Sequence, residues 1–563
     1  MKELFLPAPN LGGGRANLVL AGFSATGKTS AGALAAALLA MPFVDLDQAV
    51  ERCSGRSLTE LFRTHGQTRF RELEAEMLRA ATRLSGTVIA TGGGAVLHPE
   101  FRVLTAGAVT LVLTASPEEL EARLGEAFSR PLLAAAPRAR IRELLAERER
   151  DYADAGPVVD TTGCSIADVA AVIAARYRSE EPTRSSLVLV DGPQREYAVA
   201  VGEGTVDRLD DLIRAQMPRA GRLVVVSDRA VEKGAGARVE AALRRDGRQV
   251  FSMTIPEGES CKEMAAVTDL WDRWQSLAVD RGDVIVAVGG GAGLDAVGFA
   301  AATWGRGVPW VAVPTTILAM VDASIGGKVA IDRPGAKNAV GAFHHPRAVV
   351  CDPELLNTLP VNVARDGLAE VVKKATLASP LLLDALVQQP PSADGLPPHL
   401  GWLIEQATRI KAAYVAADPE DHGLRQSLNL GHTYAHGVEV ASDFRVSHGR
   451  AVAVGVLAAA RLGVELQLTA EELPAQLKLA LGQLHLLESI PALDHERVRA
   501  ALLLDKKRRG GEPAFVVPAA GGARLVTEID LELALEPLWE LLADGDGAAL
   551  PRSAAPDPQE VLG

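Results

Sequence analysis

Residues 17–22 (NLVLAG) run directly into GFSATGKTS and then into an alanine-rich stretch at 30–40. A buried strand, a G-x-x-x-x-G-K-T loop and a helix in that order leave few folds open. Such a loop cradles phosphate on backbone N–H groups at a helix N-terminus, with its strand inside a parallel sheet. The loop residues Gly22, Ala25, Thr26, Gly27 and Ser30 then wrap the phosphates of a nucleotide. Lys28 reaches the transferred phosphate, and the Thr29 hydroxyl is placed to ligate magnesium. Lysine is scarce, 12 of the 58 basic residues, and Lys28 is the only one between Lys2 and Lys233. An ammonium kept where arginine is the default cation argues against a chance glycine turn.

Strand-like runs at 43–47, 87–91 and 109–114 alternate with helical patterns at 68–84, 117–124, 138–152 and 165–177. That βαβ order predicts a parallel sheet with helices on both faces and ligands at the carboxyl ends of its strands. Asp45 and Asp47 fall at one such end. Read on one strand, they face opposite sides, so one supports magnesium while the other holds or deprotonates an acceptor hydroxyl. With FRELE (70–74), TGGG (91–94), RPLL (130–133) and Arg148 ahead of Tyr152, residues 17–160 resemble shikimate kinase. The resemblance implies that Asp47, Arg71, Gly93 and Arg148 hold shikimate, that Thr29 and Asp45 place magnesium, and that Arg130 on a closing lid meets the ATP phosphate in transfer. Ala25 stands where that family usually has another glycine, which predicts a stiffer loop.

RSEEPTRSS (178–186) is polar, contains proline and lacks periodicity, and it reads as a linker. New strands begin at 187–191, 197–202, 222–228 and 250–255, then DVIVAVGGG (283–291) feeds a triple glycine and a helix. Glycines there let backbone approach a pyrophosphate, although the motif alone is also compatible with an empty turn. Residues 306–343 pack Arg306, Thr315, Thr316, Asp322, Lys328, Lys337 and Asn338 into a glycine-rich segment, a set suited to a small, oxygenated, anionic ligand.

Three of the eleven histidines fall in residues 425–449. His432 and His436 are four apart in a helical pattern and share one face, and His448 begins the next helix. Catalytic zinc takes three protein ligands and leaves a position open, so a third group must come from elsewhere, and Glu370 in DGLAEVVKKA (366–375) can supply it. Taken singly, each histidine is equally well an ordinary packing residue, and Glu370 with Lys373 and Lys374 a surface ion-pair set.

PEGESCK (256–262), GGG (289–291), PTT (314–316), DASIGGK (322–328), KN (337–338), GLAEVVK (367–373), GLRQSLNLGHTYAH (423–436) and HG (448–449) together resemble 3-dehydroquinate synthase. The resemblance implies zinc, or cobalt, on Glu370, His432 and His448. It implies NAD on Asp228, Glu259, Lys262, Gly290, Gly291, Asp295, Thr315, Thr316, Asp322, Lys328, Lys337 and Thr358. It also implies a sugar phosphate on Asp322, Lys328, Asn338, Lys373, Lys411, Arg425, Asn429, His436 and one of Lys506 or Lys507, with Arg306 lent across a homodimer interface. Lys328, Lys373 and His436 would share the chemistry: oxidation of an alcohol by NAD, elimination of phosphate, return of the hydride, ring opening and aldol closure. Ala230 and Ala292 depart from the family pattern near NAD.

The chain thus reads as a fusion. An N-terminal extension (1–16) precedes a nucleoside-monophosphate-kinase-like P-loop domain (17–177) and the linker (178–186). A Rossmann-like NAD-binding α/β part (187–360), an α-helical metal-binding part (361–543) and a disordered tail (544–563) follow. Rival readings are another small-molecule kinase, another sugar-phosphate cyclase, a polyol dehydrogenase, or a half that binds nucleotide without catalysis. A net charge of −13 and the lack of a long basic run exclude nucleic acid as the main partner. No apolar run is long enough to span a bilayer, no signal peptide opens the chain, and four widely spaced cysteines suit a reducing compartment, so a soluble cytoplasmic protein is expected.

Overall fold

The apolar runs form two separate parallel sheets in the computed structural model. It describes all residues except 1, 8–15, 99–100, 106–107, 125–136, 181–186, 192–195, 245–247, 335, 389–390, 392–395, 489, 492, 510–512 and 545–563. The tail expected to be disordered and the linker core therefore lie outside the described residues. The chain divides into two units: one of residues 11–185 with 379–388, the other of 1–10, 186–378 and 389–563.

In the first unit five parallel strands are ordered β3-β4-β2-β5-β6, with β2 at Leu18–Gly22, β3 at Phe43–Asp45, β4 at Val88–Ala90, β5 at Val109–Thr114 and β6 at Val158–Asp160. β2 is buried throughout, as an apolar central strand covered on both faces must be. Helix α1 (Lys28–Leu39) packs Ala31, Ala35, Ala36 and Leu39 against Val169, Ala170, Ile173 and Tyr177 of the helix Ile166–Glu180. Small residues on α1 allow that close approach. β3 ends two residues earlier than the expected strand 43–47 and helix α2 (Leu46–Ser54) takes over, which corrects one expectation: Asp47 is in the first turn of α2 and not on β3. Asp45 is its N-cap and accepts from Gln48 N at 3.2 Å, so local capping ends the strand there. α3 (Leu58–Thr82) is kinked at Gly66, φ 76°, and α4 spans Pro137–Ala155. The short helix Pro380–Gln388 belongs to this unit, and its Asp384 takes both Nε and Nη2 of Arg52, each at 2.5 Å.

The second unit holds a seven-stranded sheet ordered β10-β9-β11-β12-β15-β8-β7. β8 (Glu196–Val201), β9 (Leu223–Asp228), β10 (Val250–Ile255), β11 (Val284–Gly289), β12 (Trp310–Pro314) and β15 (Ala348–Cys351) run parallel, and β7 (Leu187–Asp191) closes the edge antiparallel to β8. β13 (Lys328–Arg333) and β14 (Ala336–Phe343) form an antiparallel ladder, and helix α5 spans Gly291–Thr303. Beyond residue 360 come α6 (Val361–Ala378), α7 (Leu400–Ala417), α8 (His432–Ala441), α9 (His448–Glu465) and α10 (His495–Arg509).

This helical part is not purely helical. β16 (Phe515–Ala519) and β17 (Gly522–Thr527) form a hairpin, and β1 (Lys2–Pro7) pairs antiparallel along β17 from Lys2 opposite Thr527 to Pro7 opposite Gly522. Residues read as an N-terminal extension thus supply the third strand of a sheet whose other two lie more than five hundred residues on.

Among the described residues no helix is long and apolar enough to cross a membrane.

Candidate active sites

The P-loop turns tightly by placing Ala25 (φ 65°) and Gly27 (φ 94°) in the left-handed region, a conformation an alanine adopts only at a cost of roughly 1–2 kcal/mol. Lys28 Nζ folds back on its own loop, donating to Gly22 O at 2.8 Å and Phe23 O at 2.7 Å. The Thr29 hydroxyl donates to Asp45 Oδ2 at 2.6 Å, so the two residues expected to place magnesium meet.

Across the cleft, Gly93 O accepts from Arg148 Nη1 at 2.9 Å and from Tyr152 OH at 2.7 Å. The glycines of the TGGG segment let the Asp47, Glu74 and Arg71 side chains crowd against the backbone. A Cβ on Gly92 would lie 2.7 Å from Asp47 Oδ1 and 2.0 Å from Glu74 Oε1. Asp47, Arg71, Gly93 and Arg148 are thereby gathered round one glycine turn. Glu74, which sequence reasoning did not single out, binds Arg71 at 2.5 Å. Burial pushes its carboxyl up, opposed by that guanidinium. Arg130 lies outside the described residues.

In the second unit, ligand-bearing atoms of Glu370, His432 and His448 come within 4.8 Å of one another. Glu370 is on α6, and the two imidazoles stand at the first residues of α8 and α9. Glu370 Oε1 lies 3.6 Å from His432 Nε2 and 3.9 Å from His448 Nε2 and is a buried oxygen with no hydrogen-bond partner. Such an orphan between two imidazoles is the arrangement a divalent ion satisfies. His432 is driven down by burial and by the Lys373 charge, which keeps it neutral and able to bind metal. Glu439 Oε1 lies 3.0 Å from His448 Nδ1, leaving Nε2 for the metal, and Leu430 O lies 3.3 Å from His432 Nδ1. Sequence reasoning missed Glu439; its one signal is its place seven residues after His432, on the same helix face.

The HG pair at the start of α9 has a steric origin: a Cβ on Gly449 would fall 2.2 Å from Asp366 O and 2.4 Å from Asp366 Cα on α6. Gly449→Ala is expected to push α9 off α6, destabilise the unit by about 1–3 kcal/mol and weaken metal retention through the adjoining His448. Melting curves with and without chelator, and metal content after dialysis, measure both effects.

Beside the metal group, burial of Glu370 would raise its carboxyl, but the ammoniums of Lys373 (2.7 Å) and Lys374 (2.9 Å) on Oε2 overcome this and hold it well below the usual carboxylate range. Asp322 Oδ1 binds Lys374 at 3.0 Å and Lys411 at 2.7 Å, and it too is held low, against its burial, by these cations. Burying so many charges costs several kcal/mol per ion before pairing, so a cluster of three ammoniums and two carboxylates is a poor device for stability alone. Lys328 pairs with Asp421. Arg425 donates to Pro419 O at 2.8 Å and to Gly326 O at 3.4 Å. Asn429 ends the turn before the histidines, and the exposed His436 lies one helical turn beyond His432, ring centroids 5.9 Å apart.

The expected cofactor residues surround the carboxyl end of the sheet. Gly290 caps α5, Gly291 opens it, and Thr315 N donates to Gly289 O at 2.9 Å, laying the Thr315–Thr316 turn against the triple glycine. Asp228 ends β9 beside Gly289. Lys262 binds Asp295 Oδ2 at 2.8 Å and also Asn338, while Lys337 lies 3.7 Å from Glu259. Burial lifts the Asp295 carboxyl to about 6 against the pull of Lys262. Arg306 and Thr358 are exposed, outside this bonded cluster, and the side chains of Lys506 and Lys507 lie outside the described residues.

The 3-dehydroquinate synthase N-terminal and C-terminal family models match residues 252–366 and 367–508. A 3-dehydroquinate synthase from Synechococcus sp. is 38% identical over 358 residues, 62% of this chain and 97% of its own length. The chain belongs to the 3-dehydroquinate synthase family. The shikimate kinase family model matches residues 24–178, so the protein is a bifunctional shikimate-pathway enzyme, a shikimate kinase joined to a 3-dehydroquinate synthase. Among solved structures, 2-deoxy-scyllo-inosose synthase complexed with carbaglucose-6-phosphate, NAD+ and Co2+ is 25% identical with TM-score 0.58, covering 63% of this chain and 99% of its own. ValA, a 2-epi-5-epi-valiolone synthase from Streptomyces hygroscopicus subsp. jinggangensis with NAD+ and Zn2+ bound, is 26% identical with TM-score 0.54, covering 62% and 97%.

Proposed function

We propose that the synthase half carries out its reaction at the cluster of Glu370, His432 and His448 with Asp322, Lys373 and Lys411, and that the kinase half works between the P-loop and the Gly92–Gly93 turn. The observation that carries the synthase reading is the buried, unpartnered Glu370 Oε1 facing two imidazoles beside a cation-rich pocket. Zinc or cobalt held by these three residues would polarise a secondary alcohol of the sugar phosphate, and NAD on the triple-glycine turn would take up its hydride.

The chain's own groups do the rest. Lys411, Arg425, Lys373 and Lys328 hold the substrate's phosphate and carboxylate. Asp322 orients Lys411, and Lys328 leaves Asp421 when the anion arrives. His436, solvent-accessible and adjacent to the metal group, moves a proton between substrate and water. In the kinase half Lys28 and Thr29 meet ATP and magnesium with Asp45, while Arg71 and Arg148 fork the shikimate carboxylate and Asp47 holds the acceptor hydroxyl.

Phosphate release from 3-deoxy-D-arabino-heptulosonate 7-phosphate should cease on chelation and return with zinc or cobalt. Retention of full activity after verified removal of metal would end this assignment.

Burial depresses Lys411 to about 8. Below that pH its cation attracts the anionic substrate, and above it the neutral amine does not. KM for the sugar phosphate is therefore expected to rise as pH climbs through about 8, and Lys411→Met should remove that limb of the profile while raising KM at neutral pH.

The synthase half also works as a homodimer in this reading, supported by Arg306 standing exposed in a left-handed turn (φ 63°) with no partner at its own cluster. Mixing Arg306→Ala with His432→Ala protomers should regenerate activity that neither has alone; a mixture as inactive as its parts would exclude a shared site. The free thiols of all four cysteines favour a reducing, cytoplasmic setting.

A further inference from the structure

Two lysines share one oxygen of Glu370, and only one of them has a task in the chemistry above. Glu370, Lys373 and Lys374 occupy positions i, i+3 and i+4 of α6, so helix geometry puts both ammoniums on the carboxylate's side. All three are buried, with Lys374 at 0% exposure. Lys374 Nζ spans two carboxylates, Glu370 Oε2 at 2.9 Å and Asp322 Oδ1 at 3.0 Å, and Asp322 in turn holds Lys411 at 2.7 Å. A continuous chain of ion pairs, buried except at the partly exposed Asp322, therefore runs from the metal group through Lys374 to a substrate-binding ammonium.

We propose that Lys374 is a positioning residue that orients the metal-facing carboxylate and ties it to the substrate pocket. Because Lys374 occupies Oε2, Glu370 presents Oε1 alone to the two imidazoles. Because Lys374 stays in place, Lys373 is free to leave Oε2 for the substrate without stranding a buried carboxylate oxygen. Because the same ammonium holds Asp322, movement of Glu370 is transmitted to Lys411. Lys373 is the mobile partner of the pair and Lys374 the fixed one.

This inference rests on the assignment of Glu370, His432 and His448 as the metal ligands, and the experiment separates the two. Wild type, His432→Ala, Lys373→Met and Lys374→Met are titrated with Co2+ in competition with a chelator, reading affinity and the visible ligand-field absorption of the bound ion. His432→Ala should lose cobalt binding; if it retains wild-type affinity and spectrum, the ligand assignment and this inference both fall. Lys374→Met should bind cobalt on the order of 10–100-fold more weakly, as loss of an outer partner of a metal ligand does, with an altered absorption band as Glu370 turns. At saturating cobalt its kcat should fall while KM for the sugar phosphate also rises, through the loosened Lys411. Lys373→Met should keep cobalt affinity close to that of the wild type, and the wild-type band. If Lys374→Met matches wild type in affinity and spectrum while His432→Ala does not, the ligand assignment stands and the role of Lys374 is refuted. Should Lys374→Met fail to fold, Lys374→Gln keeps one N–H for Glu370 Oε2 and loses the tie to Asp322. With Oε2 still held, that variant should keep the wild-type band and raise KM through the lost tie to Asp322; an unchanged KM overturns the proposal.

Discussion

Replacing His432 by alanine is expected to abolish synthase turnover, by at least about 10³-fold, since an ion that supplies several kcal/mol of transition-state stabilisation loses its seat. The expectation follows from geometry. His432 is the imidazole nearer to Glu370 Oε1, at 3.6 Å, and burial keeps it neutral. With it gone, a carboxylate and His448 remain, too few ligands for a stable open site. Metal analysis of the purified variant should show substoichiometric zinc, and Glu370→Gln should behave alike, because a neutral amide oxygen is a weak ligand. The control is internal: shikimate phosphorylation by the same samples should be unchanged. A His432→Ala protein with full metal and near-normal phosphate release would place the catalytic ion elsewhere.

The second large effect lies in the other half. Lys28→Ala should lower kcat for shikimate phosphorylation on the order of 10²–10³-fold, the usual loss when one preorganised donor to developing charge is removed. In the free protein that ammonium is held by the carbonyls of Gly22 and Phe23. It is therefore already at the loop, and an incoming nucleotide phosphate competes with these carbonyls for it. Lys28→Arg should not restore the rate, since a planar fork does not fit where a compact charge sits between two carbonyls. Steady-state assays with saturating ATP decide it, and unchanged kcat would mean that this loop binds nucleotide without catalysing transfer.

How much of this could be read from residues alone depends on whether the signal is local. The P-loop is legible because strand, turn and helix are consecutive and each glycine or lysine has its own steric or electrostatic reason. The metal group is half legible: helical spacing puts His432 and His436 on one face, and the need for a third ligand points to a carboxylate such as Glu370, but nothing local says that a residue 62 positions away folds against His432. Glu74 carries no such mark, and the helical spacing of Glu439 from His432 and of Lys374 from Glu370 does not by itself tell a buried role from a surface one. A carboxylate or ammonium on an amphipathic helix looks the same whether it meets solvent or a buried partner, and tertiary packing alone turned the Glu370–Lys373–Lys374 run from an apparent surface set into a buried one. Asp47 was misplaced by two residues' worth of structure because the capping preference of Asp45, and not strand propensity, decides where β3 stops. The pairing of β1 with β17 had no local trace, since strand partners are chosen by what else is left unpaired.

That pairing means the two enzymes are not beads on a string. A gene truncated near codon 186 would yield a synthase whose β17 has lost a neighbour and shows a bare row of amides and carbonyls, an invitation to aggregate. The matching kinase fragment would lack the segment 379–388, and with it the bidentate partner of Arg52. Anyone wishing to produce the halves apart must therefore graft, not merely cut: residues 2–7 carried over to the synthase, and a substitute for the Asp384 helix supplied to the kinase.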